Sequence, residues 1–243
     1  ALKHIEEIVI AADGVMVARG DLAIEAGAEV VPVMQRKITG LTRKHRKFVI
    51  IATQMLASMV DAPSPTRAEV SDVATAAITG VDCVMLSDET NNGKYPVEAV
   101  RTMKRVLTFT EDNMPVTAVY AVAQDIQNRN PLATAAVSLG RDLEAKMIIV
   151  ETRSGDSALN LSDLRPSIPI IVATPDHRVA QKLAIVYGCR SYYIKNTKKA
   201  ATEALALLQK EKRLVTGQKA ILVYGYDPQY GSRTDTVRVY EVN

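Results

Sequence analysis

Asp21, Thr53, Ser87 and Glu89 are the side chains of this 243-residue chain best placed to do chemistry together. Each stands in a polar cluster that an apolar segment runs straight into. The clusters are Ala-Arg-Gly-Asp (18–21) after Val15–Val17, Ala-Thr-Gln-Met (52–55) after Phe48–Ile51, and Ser-Asp-Glu-Thr (87–90) after Cys83–Leu86. A carboxylate such as Asp21 at a strand end can hold a hard divalent cation, Mg²⁺ above all, whose shell is completed by substrate oxygens and water. Gly20 lets the backbone approach a ligand closely, so the amides of Gly20 and Asp21 can bind an anion. The Thr53 hydroxyl can hydrogen-bond a carboxylate, and a hydroxyl and a carboxylate at Ser87 and Glu89 can relay a proton through water. Each residue also has a plainer reading: Asp21 as the cap of a following helix, Thr53 as a hydroxyl satisfying loop backbone, and Ser87 to Glu89 as a polar turn.

For these residues to share a site, the apolar segments must be parallel strands opening at one end. Successive segments lie roughly 35 residues apart, the length of one strand, one helix and two short loops in a barrel of about 250 residues over eight units. In such a barrel the residues just past the C-terminal strand ends converge on one mouth. Helical spacing predicts Leu2–Ala11, with Leu2, Ile5, Ile8 and Val9 on one face, and Ala28–Lys44, with Val31, Met34, Ile38 and Leu41 inward. Arg43, Lys44, Arg46 and Lys47 crowd the end of the second helix, where its dipole favours cations. Thr66 and Glu69 have capping-box spacing and start a helix that Gly80 closes. Pro96–Thr110 is a further helix, with Val97, Val100, Met103 and Leu107 inward. Met16, Met34, Met55, Met59, Met85 and Met103 read as core. Three strand–helix units make less than half of an eight-unit barrel.

The pattern changes at Asn113-Met-Pro115, the expected domain boundary, which divides the chain into 1–114 and 115–243. Beyond it the predicted elements are helix Leu132–Leu143, strand Lys146–Glu151, a helix through Leu164, strand Ile168–Ala173, helix Arg178–Tyr187, strand Ser191–Lys195, helix Ala200–Leu214, strand Lys219–Gly225 and an edge strand, Thr236–Val242. Such alternation implies a mostly parallel sheet with helices on both faces. Thr152, Arg153, Ser154, Gly155 and Ser157 lie in a loop that follows a strand and opens a helix. Hydroxyls, a glycine and free amides at a helix N-terminus make an anion site, to which Arg153 adds a charge suited to phosphate. The plainer reading is an ordinary Ser/Thr helix cap.

Composition narrows the class. Apolar residues make up 47% and charged residues 23%, as in a globular protein, and the net charge of +3 gives no basis for nucleic-acid binding. No apolar run approaches the roughly 20 residues that cross a bilayer. Cys83 and Cys189 lack metal-ligand spacing and read as buried reduced thiols, which points to the cytoplasm. His4, His45 and His177 read as surface or cap residues. The first residue is Ala and the chain opens inside a predicted helix, so the expectation is a piece of a longer protein.

Four segments together carry a family resemblance: Val-Met-Val-Ala-Arg-Gly-Asp-Leu (15–22), Ala-Thr-Gln-Met-Leu-Ala-Ser-Met (52–59), Pro-Thr-Arg-Ala-Glu (65–69) and Met-Leu-Ser-Asp-Glu-Thr (85–90). In that order and spacing they resemble the pyruvate kinases, and Gly-Lys-Tyr-Pro-Val-Glu-Ala-Val (93–100) continues the likeness. The resemblance implies an α/β chain: the C-terminal part of a (β/α)8 TIM barrel followed by an α/β regulatory domain with a mostly parallel sheet. It implies phosphoryl transfer from phosphoenolpyruvate to ADP, giving pyruvate and ATP, with Mg²⁺ or Mn²⁺ and K⁺ as cofactors. Ala18, Arg19, Gly20, Asp21 and Thr53 would hold the substrate, Asp21 the metal, and Thr53, Ser87 and Glu89 would carry the protonation. The loop 152–157 resembles the family's site for a phosphorylated effector, a sugar phosphate or nucleotide, with Gly231-Ser-Arg-Thr234 facing it. A homotetramer is implied, with Arg67 near a contact between barrels. The family also has a catalytic lysine and a second metal-binding glutamate on the strand before this chain's first helix, and this sequence holds no such Lys-Ile-Glu segment. Ala23, Asp88 and Asn91 depart from the common pattern. Two rival readings are a non-catalytic module that binds a phosphorylated effector and a metal-dependent pyruvate-enolate lyase on a related barrel.

Overall fold

The computed structural model describes residues 2–114, 130–195, 199–225 and 234–243. Contacts divide the chain into two units, residues 1–125 and 126–243. In the first, three parallel strands lie in the order β1 (Gly14–Ala18), β2 (Phe48–Ala52) and β3 (Cys83–Val84). Their register pairs Val17 with Ile51 and Ile51 with Val84, so this row faces one side, and Met16, Ile50 and Cys83 form a row on the other. Helices cover the first side, where Val17, Val49 and Ile51 pack with Met34 and Ile38 of α3 (Val30–Lys44), Val73 and Ala76 of α4 (Arg67–Thr79) and Met103 of α6 (Pro96–Asn113). Strand–helix alternation with all strands parallel is the barrel pattern.

The capping box of α4 forms as expected: Thr66 accepts from the Glu69 amide while Glu69 accepts from Thr66. Gly80 closes the helix in the left-handed conformation, φ +72°, which costs glycine nothing. Several sequence expectations are corrected. A short helix, α2 (Arg19–Ala26), starts directly at the end of β1, and α3 begins at Val30 rather than Ala28. Leu2 lies in a 3₁₀ turn before α1 (Ile5–Ala11), whose Ile8 is exposed. The inner face of α6 is Ala99, Thr102, Met103 and Thr110, with Val97 and Val100 outside, because the small side chains let α6 approach α4. Met16 is half exposed, since its row of the sheet faces away from the helices. Neither cysteine is in a disulfide and both are only half-buried, and burial, together with the neighbouring Asp82 charge, pushes the Cys83 thiol up.

The second unit holds a five-stranded sheet in the order β6 (Cys189–Tyr193), β5 (Ile170–Thr174), β4 (Met147–Glu151), β7 (Lys219–Tyr224) and β8 (Thr236–Glu241). Only β8 runs antiparallel, at the edge. Its alternation is imperfect, with Val237 and Tyr240 partly covered on opposite faces and Val239 exposed. One face packs Met147, Ile149, Ile171 and Leu222 under α10 (Ala200–Lys210). The other packs Ile148, Val150, Ile170, Val172 and Ile221 under α7 (Pro131–Asp142) and α8 (Asp156–Asp163). A continuous run such as Met147–Val150, buried on both sides, is what a central parallel strand requires. The predicted helix over 178–187 is a short α9 (His177–Lys182) followed by a 3₁₀ turn, Leu183–Ile185. That over 200–214 ends at Lys210. His4 and His45 each bond a glutamate, Glu7 and Glu6, and His177 stacks on Tyr193 with ring centroids 3.7 Å apart.

Candidate active site

The end of β1 and the end of β2 are joined through polar atoms. Arg19, the first residue of α2, turns its guanidinium onto the end of β2: Nε donates to the carbonyls of Ala52 (3.3 Å) and Thr53 (3.2 Å), and Nη2 to Thr53 (2.6 Å) and to Met55 Sδ (2.9 Å). Its Nη1 pairs with the Asp72 carboxylate on α4. The Arg19 side chain is 11% exposed, so it is spent on holding chain rather than offered to a ligand. The Gly20 amide donates to Thr53 Oγ1 at 2.9 Å. A hydroxyl that accepts this hydrogen keeps its own O–H to give. Thr53 and Gln54 both have positive φ, +69° and +52°. For a β-branched residue such as Thr53 this is a true outlier, the kind of local strain that clusters at functional sites.

Asp21 lies exposed in the first turn of α2. Glu89, in α5 (Asp88–Asn91), is buried at 2% exposure, and its two oxygens accept the backbone amides of Leu56 (3.1 Å) and Ser87 (2.7 Å). Ser87 precedes α5 at the cap position without a side-chain cap bond, leaving its hydroxyl for other work. Arg19 and Glu89 thus grip the loop after β2 at two places. Glu69 grips it at a third, accepting from the Ser58 amide and hydroxyl at 2.7 and 2.5 Å. The structure brings together Arg19, Gly20 and Thr53 directly, and ties Ser87 and Glu89 to the same loop through Leu56. Asp21 and Ala18 stand beside them on the chain without a side-chain bond to the group. Sequence reasoning missed Asp72 altogether, because it lies mid-helix and nothing local announces a partner 53 residues earlier.

Among the described residues no three His, Cys, Asp or Glu side chains group as a metal cage. Mg²⁺ does not need one; it is usually held by one or two carboxylates with substrate oxygens and water. Asp21, an exposed carboxylate in the first turn of α2, has the donor chemistry of one such ligand.

In the second unit Thr152 is buried and its Oγ1 accepts the Gly155 amide at 3.0 Å. Gly155 caps α8 at φ +97°, a conformation open to glycine. Ser154 donates to Asp156 at 2.7 Å, and the Ser157 and Thr234 hydroxyls lie 2.5 Å apart. Ser157 thus reaches a residue just before β8, while Gly231, Ser232 and Arg233 lie outside the described residues. Arg153 is exposed. Burial holds the Glu151 carboxyl above its ordinary value, although the Ala201 amide, the Arg153 charge and the Ala200 amide offset part of the effect.

The family model for the pyruvate kinase barrel domain matches residues 1–100, and that for the pyruvate kinase alpha/beta domain matches residues 130–240. The chain belongs to the pyruvate kinase family. It is 39% identical to a pyruvate kinase from Agrobacterium vitis over 248 residues, covering all of this chain and 52% of that protein. It is 36% identical to one from Mycobacterium tuberculosis over 252 residues, again covering 100% and 52%. A crystal structure of a pyruvate kinase from Cryptosporidium parvum superposes with a TM-score of 0.86 at 34% identity, covering 100% of this chain and 50% of that one. The chain spans about half the length of the pyruvate kinases it matches. Among the described residues no helix is long and apolar enough to cross a membrane.

Proposed function

We propose that this chain is the C-terminal part of a pyruvate kinase, with residues 1–114 belonging to the catalytic barrel and 115–243 to the regulatory domain. It would contribute half a site for phosphoryl transfer from phosphoenolpyruvate to ADP, giving pyruvate and ATP. What carries the reading is the junction of Arg19, Gly20 and Thr53 at two neighbouring strand ends, within a family match over the whole chain. Thr53 donates its O–H to the substrate carboxylate, and the amide of Asp21 adds to that anion site. The Asp21 carboxylate is one ligand of Mg²⁺ or Mn²⁺. The metal, when bound, neutralises charge on the transferring phosphoryl group and on the enolate oxygen. Ser87 and Thr53, through water, supply the proton to the enolate carbon. Glu89 holds the Leu56 and Ser87 amides, so in this reading it orients the relay. Ala18 and Arg19 set the backbone of the anion site. K⁺ would be a second cofactor of the whole protein.

The loop of Thr152, Arg153, Ser154, Gly155 and Ser157 takes a phosphorylated effector, a sugar phosphate or nucleotide, in the same reading, and the whole protein is a cytoplasmic homotetramer. The test is pyruvate release from phosphoenolpyruvate, ADP, Mg²⁺ and K⁺, paired with phosphoenolpyruvate binding in the presence of Mn²⁺. Binding by the chain that depends on Mn²⁺ and is weakened in Asp21→Asn is expected, as is ADP dependence of any pyruvate formed. A folded chain that neither binds phosphoenolpyruvate nor forms pyruvate overturns the reading for these residues.

A further inference from the structure

The turn at the end of β2 has to be held by something. Thr53 and Gln54 both sit in the left-handed region, and a threonine stays there only when its surroundings over-determine it. Glu89 and Glu69 hold the loop further on, at Leu56 and Ser58, and the side-chain grip on Ala52 and Thr53 themselves comes from Arg19. One guanidinium reaches two consecutive carbonyls, Ala52 and Thr53, and the Met55 sulfur, while the next residue along, Gly20, donates to the Thr53 hydroxyl. A guanidinium has rigid fork geometry, so fixing one corner aims the others. The fixed corner is Nη1, held by the Asp72 carboxylate from α4, an element that belongs to neither strand end.

We propose that Asp72 is a positioning residue for the Thr53 corner of the site, acting through Arg19. The inference rests on the reading that Thr53 and Gly20 face substrate. Asp72 sets the angle of the guanidinium, the guanidinium holds the Ala52 and Thr53 carbonyls, and the strained turn then places the Thr53 hydroxyl on the Gly20 amide. Remove the charge at Asp72 and the fork swings, the turn relaxes, and the bond between Gly20 and Thr53 opens. Asp72 borders a cavity of about 230 Å³ that Gln35, Arg36 and Thr39 also line, so an isosteric amide meets no clash there and a longer carboxylate has room.

The experiment uses the full chain, labelled with ¹⁵N, as wild type, Asp72→Asn and Asp72→Glu. Hydrogen exchange at the Gly20 amide is read by NMR, beside the Val49 amide, which is bonded to Asp82 at the other end of β2. Loss of one charge-assisted hydrogen bond should speed Gly20 exchange roughly tenfold in Asp72→Asn with Val49 unchanged, and Asp72→Glu should recover most of the protection. Phosphoenolpyruvate affinity, measured with Mn²⁺, should fall and recover in parallel. Unchanged Gly20 exchange in folded Asp72→Asn, or equal loss at Gly20 and Val49, overturns the proposal. If Asp72→Asn does not fold, Arg19→Lys, which keeps the charge and loses the fork, must show the same local loss; failure of both to fold makes the pair purely structural and also overturns it. The amide readout needs no ligand, so absence of phosphoenolpyruvate binding in wild type would count against the functional reading while leaving the positioning claim to its own result.

Discussion

Two consecutive residues with positive φ, Thr53 and Gln54, concentrate about 1–3 kcal/mol of backbone cost each at one strand end. The cost is met by polar contacts that converge from three elements, of which Glu89 is the most deeply buried. Its two oxygens each accept a backbone amide, from Leu56 and from Ser87. Glu89→Gln keeps the shape but supplies one acceptor and one donor, so one buried N–H is left facing an NH₂ group. The expected loss is about 1–3 kcal/mol in urea unfolding. A change within about 0.5 kcal/mol, as at ordinary surface positions, would show that these amides have other partners. The residue types of the site were legible in the sequence because they follow apolar strands and carry a family pattern. Their conformation was not: threonine is a poor candidate for the left-handed region, and nothing local announces that an arginine 34 residues earlier holds it there.

Helix ends show what local chemistry can and cannot announce. The box at Thr66 and Glu69 was legible because both partners lie within one turn, as was Gly80. Burial acts against ionisation of Glu69, but hydrogen bonds from the Ser58 hydroxyl and amide and from Thr66 outweigh it and hold the carboxyl below its ordinary value of 4.5. A carboxylate depressed in the folded state adds stability that is complete above its unfolded pKa and is lost as pH falls through the folded one. Unfolding midpoints in urea should therefore drop as pH is lowered from about 5 toward 3, and Glu69→Gln should flatten that limb; equal slopes in both proteins would remove Glu69 from the acid response. In the second unit Asn130 caps α7 by accepting the Leu132 and Ala133 amides, so Asn130→Ala should cost about 1 kcal/mol in the same measurement. Helix α2 had no such signal. Its cap position is Ala18, without a side-chain bond, and its second residue is Gly20, so only the tertiary grip of Arg19 reveals why it forms there. The face of α6 failed for a related reason: two stripes share Met103 and Leu107, and contact with α4 selects the one built on Ala99 and Thr102 rather than on the bulkier valines.

At the scale of the whole molecule, each unit has its own core, and the two sheets are covered differently. Strand alternation made the α/β class and the parallel order legible, since a parallel strand buried on both faces reads as an unbroken apolar run. In the second unit that run is realised: Ile148, Ile149, Val150, Ile170, Ile171 and Val172 are fully buried, with β4 paired on both sides by β5 and β7. In the first unit, Val49 and Ile51 are fully buried against helices, but Met16 in the opposite row is 52% exposed and β1 is an edge. Opening free energy follows buried apolar contact and backbone pairing, so it should be greatest where both faces and both edges are covered. Hydrogen exchange followed by mass spectrometry should accordingly find the slowest amides in β4 and its neighbours β5 and β7, exchanging only with global opening of that unit. Peptides covering β1 should exchange at least tenfold faster, a difference of about 1.4 kcal/mol in opening free energy. Equal protection of β1 and β4 would mean that the Met16 face of the first sheet is covered in solution by another surface.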